Sequence, residues 1–152
     1  MTTALERLAA LGLELPAVPP PAAAYVPWTR VGDLMFTAGQ LPIRDGSLVT
    51  AGRIGDGVSV EEGKHLAALA GLNILAVANE AFGGLDGVRV VKLTVFVAST
   101  ESFTEQHLVA NGASELLSDV LGESGRHARS AVGVAALPLN SPVEVEAVLA
   151  RS

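Results

Sequence analysis

Ser59 and Glu62 stand three residues apart, ahead of an apolar pattern that keeps helical spacing through Leu66, Leu69, Ala70, Asn73, Ile74, Val77 and Ala81. The pattern stops at Gly83-Gly84. A serine hydroxyl that can accept a first-turn N–H, with an acid three residues on, opens a helix, and glycine closes one because it tolerates left-handed backbone. No other predicted element is as long or as well delimited. The run Arg89-Val90-Val91-Lys92-Leu93-Thr94-Val95-Phe96-Val97 follows after a short gap. Its valines favour a pleated surface over a helix, so it reads as a central strand.

The remaining signals are arranged around this pair. Leu5, Leu8 and Leu11 predict a short amphipathic helix ending at Gly12, and Pro16 to Pro21 an extended connector. Val26 to Val31 and Leu34 to Gln40 flank Gly32-Asp33, a pair suited to a hairpin turn with positive φ. Asp45-Gly46 marks another turn, with a short strand around Ser47 to Thr50. A second helix should run from about Glu105 to Leu121 and end at Gly122, and two strands should follow, Arg129 to Ala136 and Pro142 to Ala150. This order predicts an α+β fold in one domain spanning residues 1–152, a mixed sheet with both long helices on one face. Ala131, Gly133 and Ala135 alternate in a strand for which no third helical layer remains, so the other face is expected to be buried by self-association.

Composition narrows the function classes. At 152 residues the chain can bury a core without disulfides, and with no cysteine it offers no thiol chemistry. Glu, Lys, Arg or Gly interrupts every apolar run before the ~18 residues of a bilayer span, and the opening MTTALERLAALG lacks the basic start of a secretory signal. A cytoplasmic protein is expected. The net charge of −6 and ten scattered basic residues argue against nucleic acid. His65, His107 and His127 show no metal-ligand spacing. Ser130 lacks a nucleophile elbow, and Ala51 to Gly57 matches no phosphate-binding loop.

From spacing alone, Arg129 reads as an ion-pair partner of Glu144 or Glu146, and Tyr25 as either a packing or a site residue. Glu144 and Glu146 alternate and so share a sheet face. Asn111-Gly112 places two poor helix formers together, which signals a distortion or a close backbone contact.

Several segments taken together change these readings. His127-Ala128-Arg129-Ser130-Ala131-Val132-Gly133-Val134, then Leu137-Pro138, then Val143-Glu144-Val145-Glu146-Ala147 resembles the signature of the RidA/YjgF family of reactive-intermediate deaminases. Ala24-Tyr25, Thr37-Ala38-Gly39-Gln40-Leu41-Pro42 and Asn111 extend the resemblance over roughly residues 20 to 150. It implies a chorismate-mutase-like fold and a homotrimer with an active site between adjacent subunits. The implied reaction is hydrolysis of a carboxylate-bearing imine or enamine to a 2-keto acid and ammonia, with neither metal nor cofactor. It also implies roles. Arg129 would hold the substrate carboxylate, Glu144 would orient water, Tyr25 and Asn111 would border the pocket, and Ala38, Gly39 and Ala131 would meet substrate through backbone groups. Many relatives carry Ser at the position of Ala38, Pro at His127 and Cys at Ala131. The stretch between the second helix and Arg129, with the helical extension at the N-terminus, resembles a longer branch of the family. Two alternatives remain, a non-catalytic carboxylate-binding or chaperone-like trimer and an endoribonuclease.

Overall fold

The computed structural model describes residues 1–20 and 24–151. The helix expected after Ser59 is α2, Val60–Phe82; α1 (Ala4–Ala10) precedes it and α3 (Gln106–Leu121) follows. Ser59 Oγ accepts the Glu62 N–H at 3.1 Å, and Gly83 closes α2 in left-handed backbone at φ 72°. The strands are β1 (Trp28–Val31), β2 (Leu34–Thr37), β3 (Ile43–Arg44), β4 (Ser47–Leu48), β5 (Arg53–Ile54), β6 (Gly57–Val58), β7 (Val88–Ala98), β8 (Ala128–Val134) and β9 (Val143–Arg151).

Five of them make one mixed sheet in the order β1-β2-β9-β7-β8. β7 lies inside it, antiparallel to β9 and parallel to β8, with α3 as the crossover between the parallel pair. The alternation along β7 follows the pleat. Leu93, Val95 and Val97 are fully buried, as are Val143, Val145 and Leu149 on β9, and this face carries α2 and α3. Thr94, Phe96, Glu144, Glu146 and Val148 point the other way and stay partly exposed, because no helix among the described residues covers them. One face is therefore a core and the other an open surface that includes Leu34, Phe36 and Val132.

Hairpin signals hold where φ demands it. Gly32 takes φ 60° between β1 and β2, and Asp45 and Gly46 take φ 53° and 81° between β3 and β4. Strand ends differ from expectation wherever pairing decides them. β1 begins at Trp28 rather than Val26, since Pro27 has no N–H to give a ladder. β2 stops at Thr37, whose Oγ1 accepts the Ala147 N–H at 3.0 Å, and the chain bulges at Ala38-Gly39 before Gln40 pairs with Val145. β8 ends at Val134.

By length and composition α2 is apolar enough to cross a bilayer, with a mean hydropathy of 1.3 over its best window, contrary to the sequence expectation for any segment. Burial accounts for that apolarity, since 67% of the window is enclosed by the fold. The helices α2 and α3 pack so closely that a Cβ on Gly112 would lie 1.9 Å from the Lys64 carbonyl oxygen. That contact explains the glycine half of Asn111-Gly112. In α1, Thr3 and Glu6 form a reciprocal capping box, Leu8 is buried, and Arg7 Nε donates to the Val120 carbonyl at 2.6 Å, which ties the helix to α3. Pro16 to Pro20 form no regular element, and Pro21 lies outside the described residues.

Candidate functional site

Register decides where the expected site residues fall. The parallel pairing of β8 with β7 sets Arg129 beside Leu93, so its side chain lies on the helix-bearing face of the sheet, at the β8 edge. There α3 receives it. Arg129 Nη1 donates to Asn111 Oδ1 at 2.9 Å and to Ser114 Oγ at 3.1 Å, and Nη2 donates to the His107 carbonyl at 3.3 Å. Residues 107, 111 and 114 follow helical spacing along one stripe of α3. Among the described residues no carboxylate pairs with Arg129, so the ion pair with Glu144 or Glu146 suggested by spacing is not formed. Ala131 follows Arg129 on the same face, half-buried.

Ser114 is itself oriented. His127 Nδ1 lies 2.6 Å from the Gly125 carbonyl, which can only accept, so Nδ1 carries a hydrogen. In the neutral ring Nε2 then accepts the Ser114 hydroxyl hydrogen at 2.9 Å, leaving the Ser114 lone pairs for Arg129. Sequence reasoning named neither Ser114 nor His127 for the site. The spacing of Asn111 and Ser114 on one predicted helix was a signal available for the serine.

Glu144 lies on the opposite face. Antiparallel pairing sets it beside Phe96, on the open side of the sheet. It lines a cleft of about 200 Å³ with Tyr25, Ala38, Gly39 and Leu139, and the connector prolines Pro19 and Pro20 form part of the wall. A Cβ on Gly39 would meet Glu144 Cδ at 2.7 Å, so only glycine lets the carboxyl lie against the backbone there. The Ala38 N–H is already given to the Pro27 carbonyl at 2.8 Å, which leaves the carbonyl as Ala38's backbone group for a ligand. Leu139, which lines the cleft, and the adjoining Asn140 both hold φ 59°, an unusual pair of left-handed non-glycine residues. Half-burial first, and then the neighbouring Glu146 carboxylate, push the Glu144 carboxyl above its ordinary value.

The expected residues therefore divide in two. Tyr25, Ala38, Gly39 and Glu144 share one cleft, whereas Arg129, Asn111 and Ala131 belong to the other face, and a single chain does not bring the two sets together. Among the described residues no group of His, Asp and Glu is close enough to hold a metal ion.

An α+β domain with a mixed sheet, two helices on one face and an arginine cleft at its parallel edge is of the chorismate-mutase-like class. The chain belongs to the family described as "YjgF/chorismate_mutase-like, putative endoribonuclease", which its residues 5–149 match. It is 48% identical over 141 residues to Protein TCP17 of Trypanosoma cruzi, covering 91% of this chain and 88% of that one. The solved structure of Atu1372 from Agrobacterium tumefaciens, a protein of unknown function, superposes with a TM-score of 0.92 at 46% identity, over 98% of this chain and 92% of that one. The solved structure of a "putative endoribonuclease" from Shewanella oneidensis superposes with a TM-score of 0.94 at 35% identity, with 99% of both chains covered.

Proposed function

We propose that the protein hydrolyses carboxylate-bearing imines or enamines, of the 2-aminoacrylate type, to 2-keto acids and ammonia, as a cytoplasmic homotrimer whose sites are shared between copies. The observation that carries this reading is the division of the site. Arg129, with its Asn111 and Ser114 supports, and Glu144, with Tyr25, Ala38 and Gly39, lie on opposite faces of one sheet. Burying the open face against further copies would let Arg129 of one copy and Glu144 of another face the same ligand.

The chemistry needs little else. The guanidinium stays charged when half-buried, and its remaining N–H groups can hold a substrate carboxylate. A carboxylate of raised basicity, Glu144, takes a proton from water as the oxygen attacks the C=N carbon. The imine nitrogen gains a proton, the tetrahedral carbinolamine expels ammonia, and the carbonyl forms. Overall, one water adds and one ammonia leaves.

Two variants test the assignment against a binding module, which would use Arg129 without turnover. Arg129→Ala should weaken both keto-acid binding and turnover by roughly 1.5–3 kcal/mol, the usual worth of charge-assisted bonds. Glu144→Gln should keep binding of pyruvate or 2-oxobutyrate in calorimetry and slow hydrolysis of a 2-imino acid generated in situ. Wild-type protein that binds the keto acid yet leaves imine hydrolysis at the uncatalysed rate would refute the deaminase reading. An endoribonuclease, named in the family's description, is disfavoured by the net charge of −6.

A further inference from the structure

Beyond the shared site, the Arg129 cleft has its own character. It holds about 310 Å³ and is lined by Ser114, Ser118, Arg126, His127 and Arg129. Every one of these side chains can donate a hydrogen bond in at least one protonation state, and none is a carboxylate. In a chain of net charge −6 that concentration of basic groups runs against the overall balance. We propose that the cleft is built for two anionic groups, so that the preferred ligand is a 2-imino acid, and its 2-keto acid product, whose side chain ends in a second carboxylate. The inference rests on Arg129 as carboxylate anchor in the reading above.

The hydrogen-bond arithmetic supports one anion at Arg129. Three of its donors go to neutral acceptors, which orient the guanidinium without cancelling its charge; the Nε hydrogen and one Nη2 hydrogen are left for a ligand. A second anion fits at Arg126. Its partner Glu123 sits at 3.4 Å with both side chains largely in water, at 76% and 88% exposure, so the pair is weak and a ligand carboxylate can replace it. His127 links the two positions. Its Nδ1 hydrogen is held by the Gly125 carbonyl, which fixes the ring with Nε2 against Ser114 Oγ at 2.9 Å and so keeps Ser114 and Arg129 in place on the same wall. Ser118 lies one helical turn beyond Ser114 on the same wall. An aliphatic side chain directed here would find no apolar residue in the wall. One directed into the Tyr25 cleft would meet prolines and Leu139, and the two orientations predict opposite selectivity.

The test compares chain-matched acids at fixed ionic strength. Calorimetry should find that 2-oxoglutarate binds wild-type protein about two- to five-fold more tightly than 2-oxopentanoate, the gain expected of one solvent-exposed charge pair. The in situ assay should give the same order of kcat/KM for the glutamate-derived and norvaline-derived imines. Arg126→Gln should bring the diacid-to-monoacid ratio toward one, and His127→Gln should reduce it. Equal affinity for both acids in the wild type, or a parallel fall for both in Arg126→Gln, overturns the proposal. If neither imine is hydrolysed but the keto diacid still binds preferentially and loses that preference in Arg126→Gln, the cleft assignment stands and the deaminase reading falls. If monoacid imines are hydrolysed and diacids gain nothing, the deaminase reading stands and this one falls.

Discussion

Glu144 carries consequences for pH in two directions. Burial and Glu146 raise its carboxyl, so the folded chain holds that proton more tightly than the unfolded one. The contribution to stability is present at low pH and is lost as pH rises from the ordinary carboxylate range through Glu144's own raised value. Glu144→Gln removes that loss. The variant should melt at or above the wild-type temperature near neutral pH, with the gap narrowing in acid, as thermal denaturation across pH would show. In the proposed reaction the ionised form is the base, so the acid limb of kcat/KM should lie above the ordinary carboxylate position. Glu146→Gln takes away the lesser of the two causes, the like charge, and should move that limb to lower pH without abolishing it. A limb that stays in place would remove Glu144 from the role of base. Gly39 acts at the same scale. Gly39→Ala drives a methyl into the Glu144 carboxyl, which can swing away, so turnover should suffer more than stability.

Among the elements, the contact between α2 and α3 is the least forgiving. Gly112→Ala would push a methyl against the Lys64 carbonyl, a backbone atom that cannot step aside, and should destabilise by about 3 kcal/mol or more in urea unfolding. Asn73 ties α2 to the segment after β2, since its Nδ2 donates to the carbonyls of Leu41 and Ile43 at 3.0 and 3.1 Å from a fully buried position. Asn73→Ala leaves two acceptors without their donor and should cost about 2 kcal/mol. A change below about 0.5 kcal/mol would mean that water replaces the amide. The ends of α2 were legible because a cap and a left-handed glycine act within one turn of chain. The ends of β1, β2 and β8 were not, because a strand stops where its partner stops.

At the scale of the whole molecule, the uncovered sheet face is the feature still to be explained. Leu34, Phe36 and Val132 are 39%, 41% and 43% exposed there, on a surface that no helix among the described residues covers. If it closes a trimer, light scattering at micromolar concentration should give about three times 15.5 kDa. Phe36→Asp should then yield a smaller species with its helix and sheet content intact by circular dichroism, and without hydrolytic activity, because the two halves of the site would no longer meet. A wild-type mass equal to one chain would sink both the trimer and the shared site.

What the sequence determined by itself was local. It set the capped helix α2, the β-branched strand β7, the glycine turns, the number and order of the main elements, and the motif segments through which the family could be recognised. Each depends on residues within a few positions of one another, so spacing and residue type suffice to read it. It also showed that Glu144 and Glu146 share a face, because alternation is a property of one strand. It could not show which face. That was decided by pairing, parallel for β8 and antiparallel for β9 against the same β7, since a shift of one residue in register would carry every side chain of a strand to the other side. Only in the folded chain does Arg129 turn to Asn111, Ser114 and the neighbourhood of His127 while Glu144 turns away. The division of the site between two faces is thus a consequence of register, which no local pattern records.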